Sequence, residues 1–244
     1  MQKKSASYLF GNRELIILVG DILSSSTDVI VNPANTGLSH GGGLAGQISL
    51  AAGESLQQEC NEIIKTYGML DTSEAVFTHA GLLPFKAIIH AVGPRMGEGS
   101  EQQYIEEAVT NCLKICDDHQ WKSIALPAIS TGIFSVPLHY CALAFYQAIN
   151  NYWSIHTDSH INQIMVYLGE QHFNDFSAVF ESQINQDEAT IHLLFADPLI
   201  RMGDLEEEDN TPSTGYIDLS DDNESRKKSD NDNKIVDQID DWFI

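Results

Sequence analysis

The segment Asp28–Gly53 constrains the fold more than any other part of the chain. It begins with an apolar run typical of a buried strand, Val29–Val31, passes a polar turn and three consecutive glycines, Gly41–Gly43, and ends in a helical pattern over Leu44–Ala52. Because glycine lacks Cβ, this backbone can lie against a ligand, and the helix N-terminus behind it adds partial positive charge. The segment therefore predicts a strand, loop and helix that bind a phosphate or sugar phosphate.

A second loop of small residues follows a later strand. Ser123–Pro127 has a strand pattern, continues into the loop AISTGIF at residues 128–134, and precedes a helical pattern over Leu138–Tyr152. Further strand patterns lie at Leu15–Val19, Ala75–Ala80, Ala87–Val92 and Gln163–Leu168, and further helical patterns at Ser55–Tyr67, Glu101–His119 and His172–Gln183. This alternation of about six strands with helices predicts an α/β fold, a three-layer α/β/α sandwich with a mixed central sheet.

The composition changes near residue 186. The chain has 244 residues, and 17 of its 35 acidic residues lie from Asp187 onward. We expect one domain over residues 1–185 and an extension over 186–203, in which Thr190–Phe195 forms either a strand or a segment packed outside the domain. An acidic, disordered tail is expected over 204–244, with a short docking helix for a protein partner at 234–244, where Ile235, Ile239 and Trp242 have helical spacing.

Charge and composition exclude several function classes. A formal net charge of -22 argues against binding to a nucleic-acid backbone or an anionic membrane. The apolar runs are much shorter than the roughly 20 residues of a spanning helix. Because Tyr8–Leu15 includes Asn12, Arg13 and Glu14, we do not expect it to form the apolar core of a signal peptide. We expect a cytoplasmic protein, with nuclear residence or export by a route without a visible signal as alternatives. The four cysteines form no CxxC pair, and neither a metal nor a cofactor is predicted.

The glycine loop also matches a different motif. Residues 41–46 fit the G-x-G-x-x-G pattern of dinucleotide-binding oxidoreductases. However, these glycines lie nine residues beyond Asn32 instead of directly after the strand, and no acidic residue follows at a second strand end to bind a ribose. The spacing therefore disfavours that class. His90, among apolar neighbours, is predicted to be a hydrogen-bonded core histidine.

Five motifs occur in a fixed order along the chain. They are GDI at residues 20–22, NPAN at 32–35, HGGG at 40–43, HAVGP at 90–94 and PAISTGIF at 127–134. With these motifs, residues 15–183 resemble the macrodomain family of ADP-ribose-binding α/β modules. The combination of HGGGLAG with STGIF is most similar to the viral and archaeal types and to those attached to ADP-ribosyltransferases. The resemblance implies ADP-ribose or a mono-ADP-ribosylated protein as the partner.

The resemblance also implies ligand contacts. The Asp21 carboxylate would accept a hydrogen bond from the adenine amino group, beside the Ile22 backbone, while the Phe134 ring would lie against the distal ribose. Leu168 would lie near adenine, where several relatives carry an aromatic residue. The two loops would contact the distal ribose and the diphosphate through Gly41, Gly42, Gly43 and Leu44 on one side and through Ser130, Thr131, Gly132, Ile133 and Phe134 on the other.

The resemblance also implies catalytic roles for Asn35, Gly42 and Phe134. The Asn35 amide would fix a distal-ribose hydroxyl and align the anomeric carbon for a water held against the ligand's own phosphate. Ala45 stands where one hydrolase branch of the family has an aspartate. Two functions remain open: an enzyme that hydrolyses mono-ADP-ribosyl esters of acidic side chains or related ADP-ribosyl esters, and a non-catalytic reader of ADP-ribosylated proteins.

Overall fold

The computed structural model describes residues 4–196, and its side chains within residues 4–187. The strands are β1 Ser5–Phe10, β2 Arg13–Val19, β3 Val29–Ala34, β4 Ala75–Thr78, β5 Ala87–Val92, β6 Ser123–Pro127 and β7 Gln163–Leu168. The helices are α1 Gly43–Ala52, α2 Glu54–Tyr67, α3 Glu101–Asp118, α4 Leu138–Ile155 and α5 Glu170–Ala196, with a short 3-10 turn at Ile22–Ser24. Within this part of the chain, no helix has the length and apolar character needed to cross a membrane.

The strands form one mixed seven-stranded sheet in the order β1, β2, β7, β6, β3, β5, β4. Strand β3 pairs in parallel with β6 and β5, and β7 pairs in parallel with β2 and β6. Only the outer strands of this sheet, β1 and β4, pair in the antiparallel direction. The predicted mixed sheet is therefore confirmed.

Helices cover both faces of the sheet. Strand β5 is buried along its whole length, and its neighbouring residues point to opposite faces. On one face, Ile89 lies in the core that includes Val109 of α3, Phe145 of α4 and Phe176 of α5. On the other face, the His90 ring meets Cys60 of α2. The three-layer α/β/α sandwich is confirmed.

Two elements differ from the sequence prediction. Strand β1 was not predicted, because its residues alternate between exposed and half-buried positions and form no apolar run. Helix α5 is longer than predicted, from Glu170 to Ala196, so Thr190–Phe195 is helical and the strand alternative was wrong. The tail at 204–244 and its docking helix at 234–244 lie outside the described residues, and the domain boundary near residue 186 stays a prediction.

The topology determines where loops meet. The parallel strands β2, β7, β6, β3 and β5 end at the same edge of the sheet. In open α/β sheets, ligands bind outside the carboxyl ends of the strands. Asp21 follows β2, Asn35 follows β3, Gly93 follows β5 and the loop at 128–134 follows β6, while Leu168 ends β7. Segments far apart in sequence therefore converge on one surface.

Candidate functional site

A pocket of about 510 Å³ lies at the carboxyl edge of the sheet. An adjoining cleft of about 290 Å³ shares Leu44, Leu168 and other lining residues with it. The pocket is lined by Asn35, Gly41, Gly42, Gly43, Leu44, Ser130, Thr131, Gly132, Ile133, Phe134 and Leu168, and the cleft by Asp21, Ile22, Leu44 and Leu168. The structure thus brings together every site residue named from the sequence, while their individual roles stay predictions.

Asp21 occupies the cleft and also caps a turn. Its Oδ1 accepts a hydrogen bond from the backbone N–H of Leu23 at 3.0 Å, at the start of the 3-10 turn. The residue is exposed, so its second carboxylate oxygen can face a ligand. Capping and ligand binding are therefore compatible at this residue.

The Asn35 side chain is held by the loop that it begins. Its Oδ1 accepts hydrogen bonds from the backbone N–H groups of Gly37 and Ser39, both at 3.1 Å. Its Nδ2 donates to the backbone carbonyl of Ser39 at 2.7 Å. Because an amide nitrogen has two N–H bonds, one donor remains, but both acceptor positions of the oxygen are used. Asn35 can therefore donate to a ligand hydroxyl without losing its loop contacts.

The glycine loop leads directly into helix α1. Gly43 has a φ of 59°, a left-handed conformation that favours glycine, and Gly42 precedes the helix without a side-chain cap. The first-turn N–H groups of a helix have no partner within the helix, and here the loop that presents them lines the pocket. The end of this helix therefore offers backbone donors and partial positive charge to an anionic ligand.

The second loop contains an unpartnered hydroxyl. Ser130 has a φ of 67°, unusual for a residue other than glycine, and its Oγ is buried with no hydrogen-bond partner in the described part of the chain. Such buried polar groups are rare and indicate a missing partner. Gly93 lies so close that a Cβ there would be 2.1 Å from this Oγ. Ser130 lines the pocket, but its Oγ is not exposed there, so a ligand can reach this hydroxyl only after the loop shifts.

Arg95 and His172 are among the lining residues that were not predicted from the sequence. Arg95 follows the HAVGP motif, and its guanidinium carbon lies 4.5 Å from the centre of the Phe134 ring. His172 reaches the pocket from the first turn of α5. Arg95 could have been predicted as a site residue because it directly follows the HAVGP motif, whereas no motif in the sequence marks His172. Among the described residues, no Asp or Glu lines the larger pocket, so a dianion would meet no carboxylate there.

His90 is fully buried behind the glycine loop. Its Nδ1 lies 3.0 Å from Asn32 Nδ2 and 3.4 Å from His40 Nε2, and its Nε2 lies 2.9 Å from Thr78 Oγ1. Burial, together with the nearby His40, lowers the pKa of His90 to about 3. The predicted hydrogen-bonded core histidine is confirmed.

The same histidine belongs to a group of three potential metal ligands, a cluster that the sequence spacing did not reveal. Ligand atoms of His40, Cys60 and His90 lie within 4.8 Å of one another. However, His40 faces Nδ1 of the His90 ring and Cys60 faces Nε2, at 3.8 Å. Because these neighbours face different nitrogens, we interpret the cluster as a hydrogen-bonded network. His40 Nδ1 also lies 2.9 Å from Gln57 Oε1, which ties the start of the glycine loop to α2.

Comparisons with known proteins agree with this geometry. A family model described as Macro domain matches residues 31–145. An uncharacterized protein of Sulfurisphaera tokodaii is 40% identical over 173 residues, covering 70% of this chain and 93% of the relative. A protein of Escherichia fergusonii named O-acetyl-ADP-ribose deacetylase is 46% identical over 123 residues, covering 50% of this chain and 70% of the relative.

A solved structure shares the fold, and its name includes a ligand. The macrodomain of Oceanobacillus iheyensis with ADP superposes with a TM-score of 0.70 at 29% identity, covering 76% of this chain and all of that one. Another structure of that macrodomain, a mutant, contains ADPR. The sequence matches and the shared fold lead to one conclusion: this chain belongs to the Macro domain family.

Proposed function

We propose that this protein binds ADP-ribose and hydrolyses ADP-ribosyl esters, including mono-ADP-ribosyl groups on acidic side chains of proteins. One observation carries the proposal: Asp21 and Asn35 stand at two ends of a continuous site lined by backbone donors. They follow β2 and β3, which are separated by three strand intervals in the sheet, or about 14 Å. This separation suits an extended ligand with an adenine at one end and a ribose at the other.

The binding step follows from the chemistry of the lining residues. At one end, the free carboxylate oxygen of Asp21 accepts from an exocyclic amine. In the middle, the N-terminus of α1 and the loop at Ser130 surround a diphosphate with N–H and O–H donors. Neutral donors allow a protein with a net charge of -22 to bind a dianion locally. The deacetylase relatives are named for an ester of ADP-ribose and support the same ligand class.

The hydrolytic step needs no protein nucleophile. The remaining N–H of Asn35 donates to a distal-ribose hydroxyl and fixes the sugar. A water molecule adds to the anomeric carbon, the bond from that carbon to the carboxyl oxygen breaks, and the water's proton passes to the ligand's phosphate. The products are ADP-ribose and a free carboxylate. The phosphate serves as the base because no Asp or Glu lines the larger pocket in the described residues, where Ala45 is among the lining residues.

The decisive experiment measures ADP-ribose release from a protein that is mono-ADP-ribosylated on glutamate. Wild type, Asn35→Ala and the exposed control Asn174→Ala on α5 are compared after their folding is checked by circular dichroism. We expect release by the wild type and the control, and a fall of at least about tenfold for Asn35→Ala, or about 1.4 kcal/mol of transition-state stabilisation. Equal rates for all three would refute the role of Asn35.

A second candidate function is a non-catalytic reader of ADP-ribosylated proteins. It is favoured by the hydrogen bonds that commit the Asn35 oxygen to Gly37 and Ser39, and by Ala45 in place of an acidic residue. Wild-type protein that binds ADP-ribose in calorimetry but releases none from the modified protein would establish this reader function.

A further inference from the structure

We propose that Arg95 recognises a carboxylate on the polypeptide beside the ADP-ribosylated residue, so that the preferred substrates are modified sites within acidic segments. The inference rests on the proposed function, because it assigns the ligand beyond the distal ribose. Its basis is the position, the unused donors and the fixed geometry of this one side chain.

The position places Arg95 at the far end of the site from adenine. Arg95 follows β5, whereas Asp21 follows β2, and four strand intervals of the sheet, or about 19 Å, separate them. Asn35 follows β3, the direct neighbour of β5. Arg95 is therefore next to the end where the group attached to the distal ribose leaves the pocket, and its side chain is exposed there.

The N–H groups of the Arg95 guanidinium have no hydrogen-bond acceptor within residues 4–187. The Arg95 side chain forms no ion pair within these residues either, and its guanidinium lies over the Phe134 ring. The guanidinium of Arg13, in contrast, is hydrogen-bonded, because it donates to the backbone carbonyls of Trp153, His156 and Thr157. An arginine stacked on an aromatic ring with free N–H groups can bind a carboxylate through two parallel hydrogen bonds.

The surrounding backbone fixes this charge. The N–H of Met96 donates to the carbonyl of Phe134 at 2.9 Å, which ties the segment after β5 to the second loop. The two carboxylates that follow in this segment already have partners. Glu98 accepts from Thr72 Oγ1 at 3.3 Å, and Glu101 accepts from the N–H of Gly97 at 2.6 Å. Neither carboxylate is thus hydrogen-bonded to Arg95, which lines the pocket.

The net negative charge of the protein restricts recognition of acidic segments to the surroundings of Arg95. A chain with a net charge of -22 repels an acidic peptide at long range, and that repulsion is screened at physiological salt beyond about 8 Å. Close to the pocket, one uncommitted guanidinium outweighs the distant charges. Neighbouring carboxylates on the substrate are thus recognised only when the ADP-ribosyl group has already placed them at the mouth.

The test uses two peptides that carry ADP-ribose through a linkage that resists hydrolysis. They differ only in the residues next to the modified position, which are Glu and Asp in one peptide and the isosteric Gln and Asn in the other. Dissociation constants are measured by calorimetry for wild type, Arg95→Gln, Arg95→Lys and the control Lys114→Gln, an exposed lysine on α3. Free ADP-ribose is titrated into all four proteins.

We expect the wild type and the control to bind the acidic peptide at least about tenfold more tightly than its neutral partner, a difference of about 1.4 kcal/mol. Arg95→Gln should reduce this preference below about twofold, Arg95→Lys should keep part of it, and free ADP-ribose should bind equally to all four proteins. Equal binding of both peptides by the wild type would overturn the inference. So would a loss of free ADP-ribose binding in Arg95→Gln, which would identify a phosphate contact. Because the peptides are not cleaved, the result does not depend on whether the protein hydrolyses its ligand.

Discussion

The side chain of Asn35 and the backbone of Ser39 are joined by two hydrogen bonds, one in each direction. Asn35 Nδ2 donates to the Ser39 carbonyl at 2.7 Å, and the Ser39 N–H donates to Asn35 Oδ1 at 3.1 Å. The residue implied for catalysis thus also shapes the loop that leads to the glycines. Loss of the Asn35 side chain should therefore affect both the stability of the protein and its binding of ADP-ribose, which must be measured separately.

Asn35→Ala should lower the free energy of unfolding by about 1–2 kcal/mol, because two backbone N–H groups lose their acceptor. Asn35→Asp keeps the acceptor for Gly37 and Ser39 but loses the donor, and its charge opposes an anionic ligand. Urea unfolding should therefore place Asn35→Asp closer to the wild type than Asn35→Ala. Calorimetry with ADP-ribose should show weaker binding for both. An Asn35→Asp variant that binds as tightly as the wild type would contradict the donor role.

Ser130→Ala should separate binding from stability. The Ser130 hydroxyl is buried without a partner in the described part of the chain, so its removal should leave the unfolding free energy unchanged or raise it by up to about 1 kcal/mol. We expect the ligand to supply the missing partner once the loop shifts to expose this hydroxyl, so ADP-ribose affinity should fall by about tenfold. Thermal melts with and without ADP-ribose measure both effects. Unchanged affinity would show that the hydroxyl does not contact the ligand.

Gly93→Ala should disrupt the second loop. The new Cβ would lie 2.1 Å from Ser130 Oγ and 2.5 Å from Ile129 Cγ2, so the loop must shift. We expect a stability loss of about 1–3 kcal/mol and a large loss of ADP-ribose affinity. Gly41→Ala is the matched control for folding, because within the described residues nothing lies within 4 Å of the place its new Cβ would take, and its φ is not positive. Equal melting temperatures for Gly93→Ala and Gly41→Ala would contradict the close contact between Gly93 and Ser130.

Asp21→Asn and Asp21→Ala should differ in stability, but both should bind ADP-ribose more weakly than the wild type. The asparagine oxygen can still accept from the N–H of Leu23, whereas alanine loses this cap, at a cost of about 1 kcal/mol. Both variants remove the second carboxylate oxygen, so both should weaken ADP-ribose binding. Urea unfolding and calorimetry on the same preparations make the comparison. Wild-type affinity in Asp21→Asn would refute the adenine contact.

His90 should make the protein less stable in acid. Its pKa is about 3 in the folded chain, below the unfolded value of about 6.5. As the pH falls from about 6.5 towards 3, the unfolded chain binds a proton that the folded chain does not, so stability decreases by up to about 1.4 kcal/mol per pH unit from this group. NMR titration of the ring in the wild-type protein, which keeps the neighbours His40, Asn32, Thr78 and Cys60, measures this pKa directly. A folded-state pKa near 6.5 would contradict this prediction.

The sequence by itself determined the α/β class, because apolar runs and helical periodicity are local properties of the chain. The glycines at 41–43 and the loop at 128–134 were recognisable for the same reason. Strand β1 was missed, because an exposed edge strand such as Ser5–Phe10 lacks an apolar run. Helix α5 was predicted too short, because the change of composition near residue 186 suggested an end there, although residues 183–196 contain no Gly or Pro to stop the helix.

Only the tertiary structure decided which of these residues meet and which polar atoms remain free. The strand order places Asp21, Asn35 and Arg95 along one edge, and that order depends on pairing between strands distant in sequence. Within the described part of the chain, the Asn35 oxygen is committed, the Ser130 hydroxyl is unpartnered and the Arg95 guanidinium rests on Phe134. These states depend on neighbours brought together by folding. A residue's type sets what it can donate or accept, but its packed surroundings determine what remains available to a ligand.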